Sequence, residues 1–268
     1  MRKFFKYSLR ALLFYWGFSF LVGIIKYLQL PPNQSCSEYS QMDSITKDYH
    51  HQRSWQVYQQ HQHCMEIEGR KRSQADAYDW RIQLQHPPYR QDYYEEYWGR
   101  VYGHLVARES LEINQLADSL MNIIIQEGYD HYEAADLAVS MIQDIPYSLI
   151  KSDECEDADV KPCIGNQKFG LLAPSEFLYE LHGDCDTRAV LLHQLLSKLG
   201  YETIVVVSRE YEHAMIAIHL PVAGDHIEYK GIPYYFWETT AKGWRAGMLP
   251  PSYPQVSYWR VALGPMQL

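Results

Sequence analysis

Cys185 lies in the segment Gly183-Asp184-Cys185-Asp186, directly ahead of Ala189, Leu192, Leu196 and Leu199, which recur at helical spacing before Gly200. A thiol in the first turn of a helix feels the positive end of the dipole and nearby free N–H groups. Both favour the thiolate and lower the pKa below the free value of about 8.5. Asp184 and Asp186 oppose this by like-charge repulsion, so the nucleophile needs a cationic helper, and imidazolium is the usual one. His213 opens a predicted strand 28 residues further on. His193, on the same helix, lies about 12 Å away at 1.5 Å per residue. His219 is displaced from His213 by roughly 20 Å along the strand. His213 is therefore the expected partner, and Glu238, in the run Tyr234-Tyr235-Phe236-Trp237-Glu238-Thr239-Thr240, is the expected acceptor that orients it. Taken singly, each has a plainer reading: a small core cysteine, a histidine satisfied by backbone, an acid paired with Lys242 or Arg245. Together, in this order, they point to acyl transfer.

The elements that must position these groups are legible nearby. Ile113, Leu116, Leu120 and Ile124 predict a helix ending at Gly128, and Ala135, Ala138, Ile142 and Ile145 a second, stopped by Pro146. After the Cys185 helix come predicted strands over Glu202 to Ser208 and His213 to Leu220. In the latter, Ala214, Ile216 and Ile218 share one face, and His213, Met215, Ala217 and His219 the other. Asp225 to Lys230 and Tyr234 to Glu238 read as a hairpin turned near Gly231. Helices followed by a strand-rich second half give α+β. Upstream, Trp55, Val57, Met65, Ile67, Trp80 and Ile82 mark short candidate strands, and Tyr93 to Tyr102 a Tyr-rich helix. This divides the chain into a basic cytoplasmic segment 1–10, a signal-anchor 11–30, an accessory extracytoplasmic segment 31–105 and a main domain 106–268.

Charge and cysteine usage bound the function classes. Residues 1–30 hold Arg2, Lys3, Lys6, Arg10 and Lys26 and no acid, while the rest carries 19 positive and 33 negative side chains. An acidic body lacks the basic stripe that a nucleic-acid partner requires. Ala11 to Ile25 is uncharged, and with Tyr27 to Leu30 it is long enough for a bilayer core of about 30 Å. The preceding positives favour a single-pass protein with a cytoplasmic N-terminus; a cleaved secretory signal is the alternative. Asn33-Gln34-Ser35 fits an N-glycosylation acceptor. Of the five cysteines, Cys155 and Cys163 bracket an acidic loop and suit a disulfide in an oxidising compartment. Cys36 and Cys64 are candidates for a second, although four cysteines allow three pairings. Cys185 is then left over, with no nearby resolving cysteine for redox chemistry. His50, His51, His61 and His63 are expected to face solvent rather than bind metal. The acids between Asp153 and Asp159 read as a solvated loop, with calcium as the alternative.

These residues resemble the transglutaminase-like superfamily. The resemblance is carried by Gly183-Asp184-Cys185-Asp186, His213-Ala214, Trp237-Glu238-Thr239-Thr240, the helix end Met141-Ile142-Gln143-Asp144-Ile145-Pro146-Tyr147 and the run Pro174-Ser175-Glu176-Phe177-Leu178. It covers about Leu111 to Pro250. It implies a papain-like core, with N-terminal helices including the Cys-bearing one packed on an antiparallel sheet, joined to the transmembrane helix. It implies Cys185 as nucleophile, His213 as general base and acid, and Glu238 where many members have Asp. The oxyanion donor would be the Cys185 backbone N–H with a second group that the sequence does not mark. No cofactor is implied. The expected activity is peptidase or amidase if water resolves the thioester, and transglutaminase if an amine does. The expected partner is a protein or peptide at the cell envelope. The rival expectation is a non-catalytic protein-binding module.

Overall fold

The computed structural model describes residues 36–57, 61–89 and 91–266. Strands β1 (Tyr39–Met42), β2 (Tyr49–Val57) and β3 (His61–Gly69) form an antiparallel sheet in that order. Period-2 burial along β2 turns His51, Trp55 and Val57 inward. Four helices follow: α1 (Lys71–Gln83), α2 (Tyr94–Val106), α3 (Leu111–Glu127) and α4 (His131–Asp144). Gly128 closes α3 with φ 65°, a left-handed position that favours glycine. A reciprocal capping box starts α4: Asp130 accepts from Tyr132 N and Glu133 N, and Glu133 accepts from Asp130 N. The short parallel pair β4 (Leu149–Ile150) and β5 (Cys163–Ile164) precedes α5 (Pro174–Glu180) and α6 (Cys185–Lys198).

Five strands complete the fold: β6 (Thr203–Ser208), β7 (His213–Ile218), β8 (His226–Tyr229), β9 (Ile232–Trp237) and β10 (Arg260–Leu263). They lie in the order β10-β6-β7-β9-β8, antiparallel throughout. The β8–β9 hairpin turns on Lys230 and Gly231, both at positive φ, as a two-residue loop demands. One sheet face, with Val205, Val207, Ala214, Ile216 and Ile218, packs under the helices; the other, with Ile204, Val206, Met215 and Phe236, packs against Trp259. The predicted face assignment of Ala214, Ile216 and Ile218 against Met215 and Ala217 matches these two clusters.

Helix α6 is the hub, with 12 of its 14 residues buried. It touches α2, α3, α4 and α5 as well as β6 and β7, so its one-stripe reading understates it. Of the polar groups it buries, His193 Nδ1 meets Thr203 Oγ1 at 2.9 Å and Gln194 Nε2 donates to Val106 O and Arg108 O, whereas His193 Nε2 and Gln194 Oε1 have no hydrogen-bond partner among the described residues. Burial pushes the His193 imidazole down to about 4, so it is neutral at pH 7.

Several expectations are corrected here. The anticipated fold class, a papain-like α+β core of helices on one antiparallel sheet plus a membrane-spanning helix, does not describe this chain. The described residues form a mixed α and β structure with three sheets, one of them ahead of every described helix. No helix among the described residues is long and apolar enough to cross a membrane. The span expected at 11–30 lies outside the described residues, as do the segment 1–10 and the acceptor Asn33. Trp80 and Ile82 belong to α1, not to a strand. The residues that α1 buries are Ala77 and Arg81, one turn apart, and a buried arginine is invisible to hydrophobic periodicity. Arg81 is held there by both Glu176 oxygens at 2.7 and 2.8 Å, by Lys168 O and by Gln167 Oε1. His51 is buried rather than solvent-facing, between Ser40 Oγ and Tyr179 O, and His63 bonds Tyr129 Oη at 2.6 Å. Residues 36–268 form one compact unit, and one core cluster runs from Trp55 through Tyr102 to Leu192.

Candidate active site

The cysteines sort as two disulfides, Cys36–Cys64 and Cys155–Cys163, and one buried free thiol, Cys185. In the acidic loop Asp159 accepts from Lys151 Nζ at 2.9 Å and from Glu156 N at 2.7 Å. Among the described residues, the one convergence of three metal-capable side chains is Cys155, Asp159 and Cys163, and both of its sulfurs are committed to the disulfide.

His213 and Glu238 meet. The register Ile216↔Trp237 carries Glu238 one residue past the β7–β9 ladder, onto the face that bears Met215 and His213. His213 Nε2 lies 2.8 Å from Glu238 Oε2. The other oxygen, Oε1, accepts from Thr239 N at 2.8 Å and from Thr240 N and Thr240 Oγ1, each at 2.7 Å. Burial works against the Glu238 carboxylate. Its bonds and charge interaction with His213, and its bonds to Thr240, outweigh burial and hold the carboxyl below its ordinary value of 4.5. A carboxylate only accepts, so the bond requires a proton on His213 Nε2 and leaves Nδ1 with a free lone pair when the ring is neutral. Tyr253 stacks on the imidazole with ring centroids 4.7 Å apart, and Trp259 meets it edge-on at 6.0 Å.

Cys185 occupies the predicted place in the first turn of α6, where Asp184 caps the helix by accepting from Thr187 N at 3.0 Å. Glycine is required just before it: a Cβ at 183 would stand 2.5 Å from the Phe177 ring. The sulfur lies against the start of β7 and interacts with the Ala214 backbone. Its thiol donates to Asp186 Oδ2 at 3.4 Å, however, and no hydrogen bond among the described residues joins it to His213. Burial pushes the thiol well up, and Asp186 and Asp184 push it further. The expected lowering by the helix terminus is therefore outweighed. Asp184 and Asp186 are themselves raised, each by burial first. The Tyr102 phenol, on α2, donates to Asp186 Oδ1.

Beneath both halves lies Arg188, fully buried and absent from the sequence reading. Its guanidinium donates to Gly183 O (3.0 Å), Ile142 O (2.7 Å), Ile145 O (2.7 Å), Pro146 O (2.8 Å) and, at 3.5 Å, Thr239 O. One side chain thus ties the cysteine loop, the end of α4 and the strand end carrying Glu238. Burial lowers its pKa to about 10, which leaves it cationic at neutral pH. Gln143 adds a second tie, donating to Glu238 O at 2.7 Å and Trp244 O at 3.0 Å. The only signal for Arg188 was an arginine one turn inside a helix whose other spacings are apolar. A cavity of about 720 Å³ is lined by Gln143, Asp144 and Trp244, among others, and none of Cys185, His213 and Glu238 lines it. No protein-family profile, curated protein or solved structure matches the chain.

Proposed function

We propose that this chain is a cysteine enzyme of the transglutaminase-like type, working outside the cytoplasm on an amide of a protein or peptide. The His213–Glu238 bond carries the reading, because a neutral ring fixed by Nε2 presents Nδ1 as a general base. Cys185 would pass its proton to Nδ1 and attack the amide carbonyl, with the Cys185 N–H stabilising the oxyanion; the C–N bond would then break, the leaving amine taking the proton from Nδ1, to give the thioester. Water or an amine would then release the acyl group. The two disulfides fit an oxidising compartment.

The test uses p-nitrophenyl acetate as a small acyl donor, with and without an added primary amine. A burst of nitrophenol with an acetyl adduct on Cys185, lost in His213→Ala, supports the enzyme. Transfer of the acetyl group to the amine rather than to water supports transamidation. A second reading, a non-catalytic binding module, is favoured by one observation: the thiol is turned to Asp186 and held protonated. No adduct either in the wild-type chain or in Asp186→Asn, which removes the carboxylate the thiol donates to, would select that reading.

A further inference from the structure

We propose that Asp186 and Tyr102 form a latch on the nucleophile, in which the Asp186 carboxylate holds the Cys185 thiol as a hydrogen-bond donor turned away from His213 until the Tyr102 contact is released. This rests on the reading of Cys185 as nucleophile and His213 as base. The two oxygens of Asp186 are divided between two donors, the Cys185 thiol on Oδ2 and the Tyr102 phenol on Oδ1. The phenol comes from α2, an element separate from the helix that carries Cys185. Helix α2 packs on β10 as well as on α6. At Gly99 an added Cβ would stand 2.2 Å from Ala262 O, so the helix approaches that strand without room to spare. The latch therefore links the nucleophile to an element outside the Cys–His–Glu set.

The groups around the thiol explain why it stays protonated when latched. On α6 it faces Asp184 and Asp186, both anionic when ionised, with Arg188 committed to backbone carbonyls. From α2 come Tyr94 and Tyr102, from the segment after α4 Tyr147, and from the segment before β10 Tyr253, all phenols with raised pKa. Two cationic groups stand nearby: the Arg188 guanidinium, which interacts with Cys185 and Asp184, and the His213 imidazole, whose charge Asp186 senses when it is protonated. Releasing Asp186 takes a negative charge away from the sulfur and frees the S–H to turn. The S–H bond then breaks, an N–H bond forms at His213 Nδ1, and Nε2–H stays with Glu238. No other reactant is needed.

The experiment is the pH dependence of Cys185 alkylation by iodoacetamide in the full chain, read as the midpoint of the rate profile. Asp186→Asn keeps an acceptor and removes the charge. Its midpoint should fall, and alkylation at pH 7 should rise about tenfold for each unit of that fall. Tyr102→Phe removes only the hydroxyl and should shift the midpoint the same way by less. If Asp186→Asn does not fold, Tyr102→Phe decides alone. Folded variants whose midpoints coincide with wild type overturn the latch. Adding His213→Ala to Asp186→Asn separates the two readings. A gain lost in the double variant supports both latch and base. A gain that survives supports the latch and counts against His213 as base.

Discussion

Glu238 and Asp186 are two carboxylates of one site, and their surroundings drive them in opposite directions. Glu238 receives four hydrogen bonds, one from the imidazole and three from Thr239 and Thr240, and is held below its ordinary pKa despite being 2% exposed. Asp186 receives the Tyr102 phenol and a weakly acidic thiol, sits two residues from Asp184, and is raised. Burial works against ionisation in both: at Asp186 it outweighs the bonds from Tyr102 and Cys185, whereas at Glu238 the imidazole and Thr240 outweigh it. Glu238 thus holds the imidazole by Nε2, whereas the thiol half is pushed towards its protonated form.

That contrast can be broken at graded cost. Cys185→Ala should abolish acylation by p-nitrophenyl acetate and leave the His213–Glu238 half folded, as mass spectrometry and thermal melting would report. Arg188→Leu strips the tie between the halves and leaves buried carbonyls without a donor. At about 1–3 kcal/mol per unsatisfied group, it should lower stability by at least about 3 kcal/mol in urea unfolding. An unchanged midpoint would mean that the carbonyls find other donors.

Glu238→Gln acts on one half only and should cost about 2 kcal/mol at neutral pH, the range of hydrogen bonds to a charged group. Its pH dependence has a definite sign. The folded pKa lies below 4.5, so on acidification the unfolded chain takes up the proton first. The stabilisation is whole above 4.5 and is lost as pH falls through the lower folded value. The gap between wild type and Glu238→Gln should therefore narrow in acid; a constant gap would remove the ionised Glu238 carboxylate from the account. Thr240→Val deletes one of the three donors on Oε1 and should cost about 1 kcal/mol, with a small upward move of the acid limb.

Local pattern carried a good part of this fold. The α3 and α4 helices, the Gly128 stop, the two faces of β7 and the β8–β9 hairpin follow from periodicity and turn chemistry, which act between residues a few positions apart. The meeting of His213 with Glu238 was also legible, because strand alternation places both on one face once β7 and β9 pair. Strand β10 escaped notice: Arg260–Leu263 is four residues long, follows a Pro- and Tyr-rich stretch, and gains its place only by pairing with β6. Helix α1 escaped because its buried face carries Arg81.

The amino-acid sequence alone determined which groups can react and in which local setting each sits: a thiol at a helix start, an imidazole opening a strand, an acid at a strand end. Tertiary structure alone decided which charges are buried and against what. Arg81 finds Glu176 at a separation of 95 residues, and Arg188 finds its carbonyls on α4's end and Thr239 at separations of 42 to 51. Asp186 finds Tyr102 at 84. A buried charge is tolerable only where partners converge on it, and that convergence is a property of packing rather than of neighbouring residues.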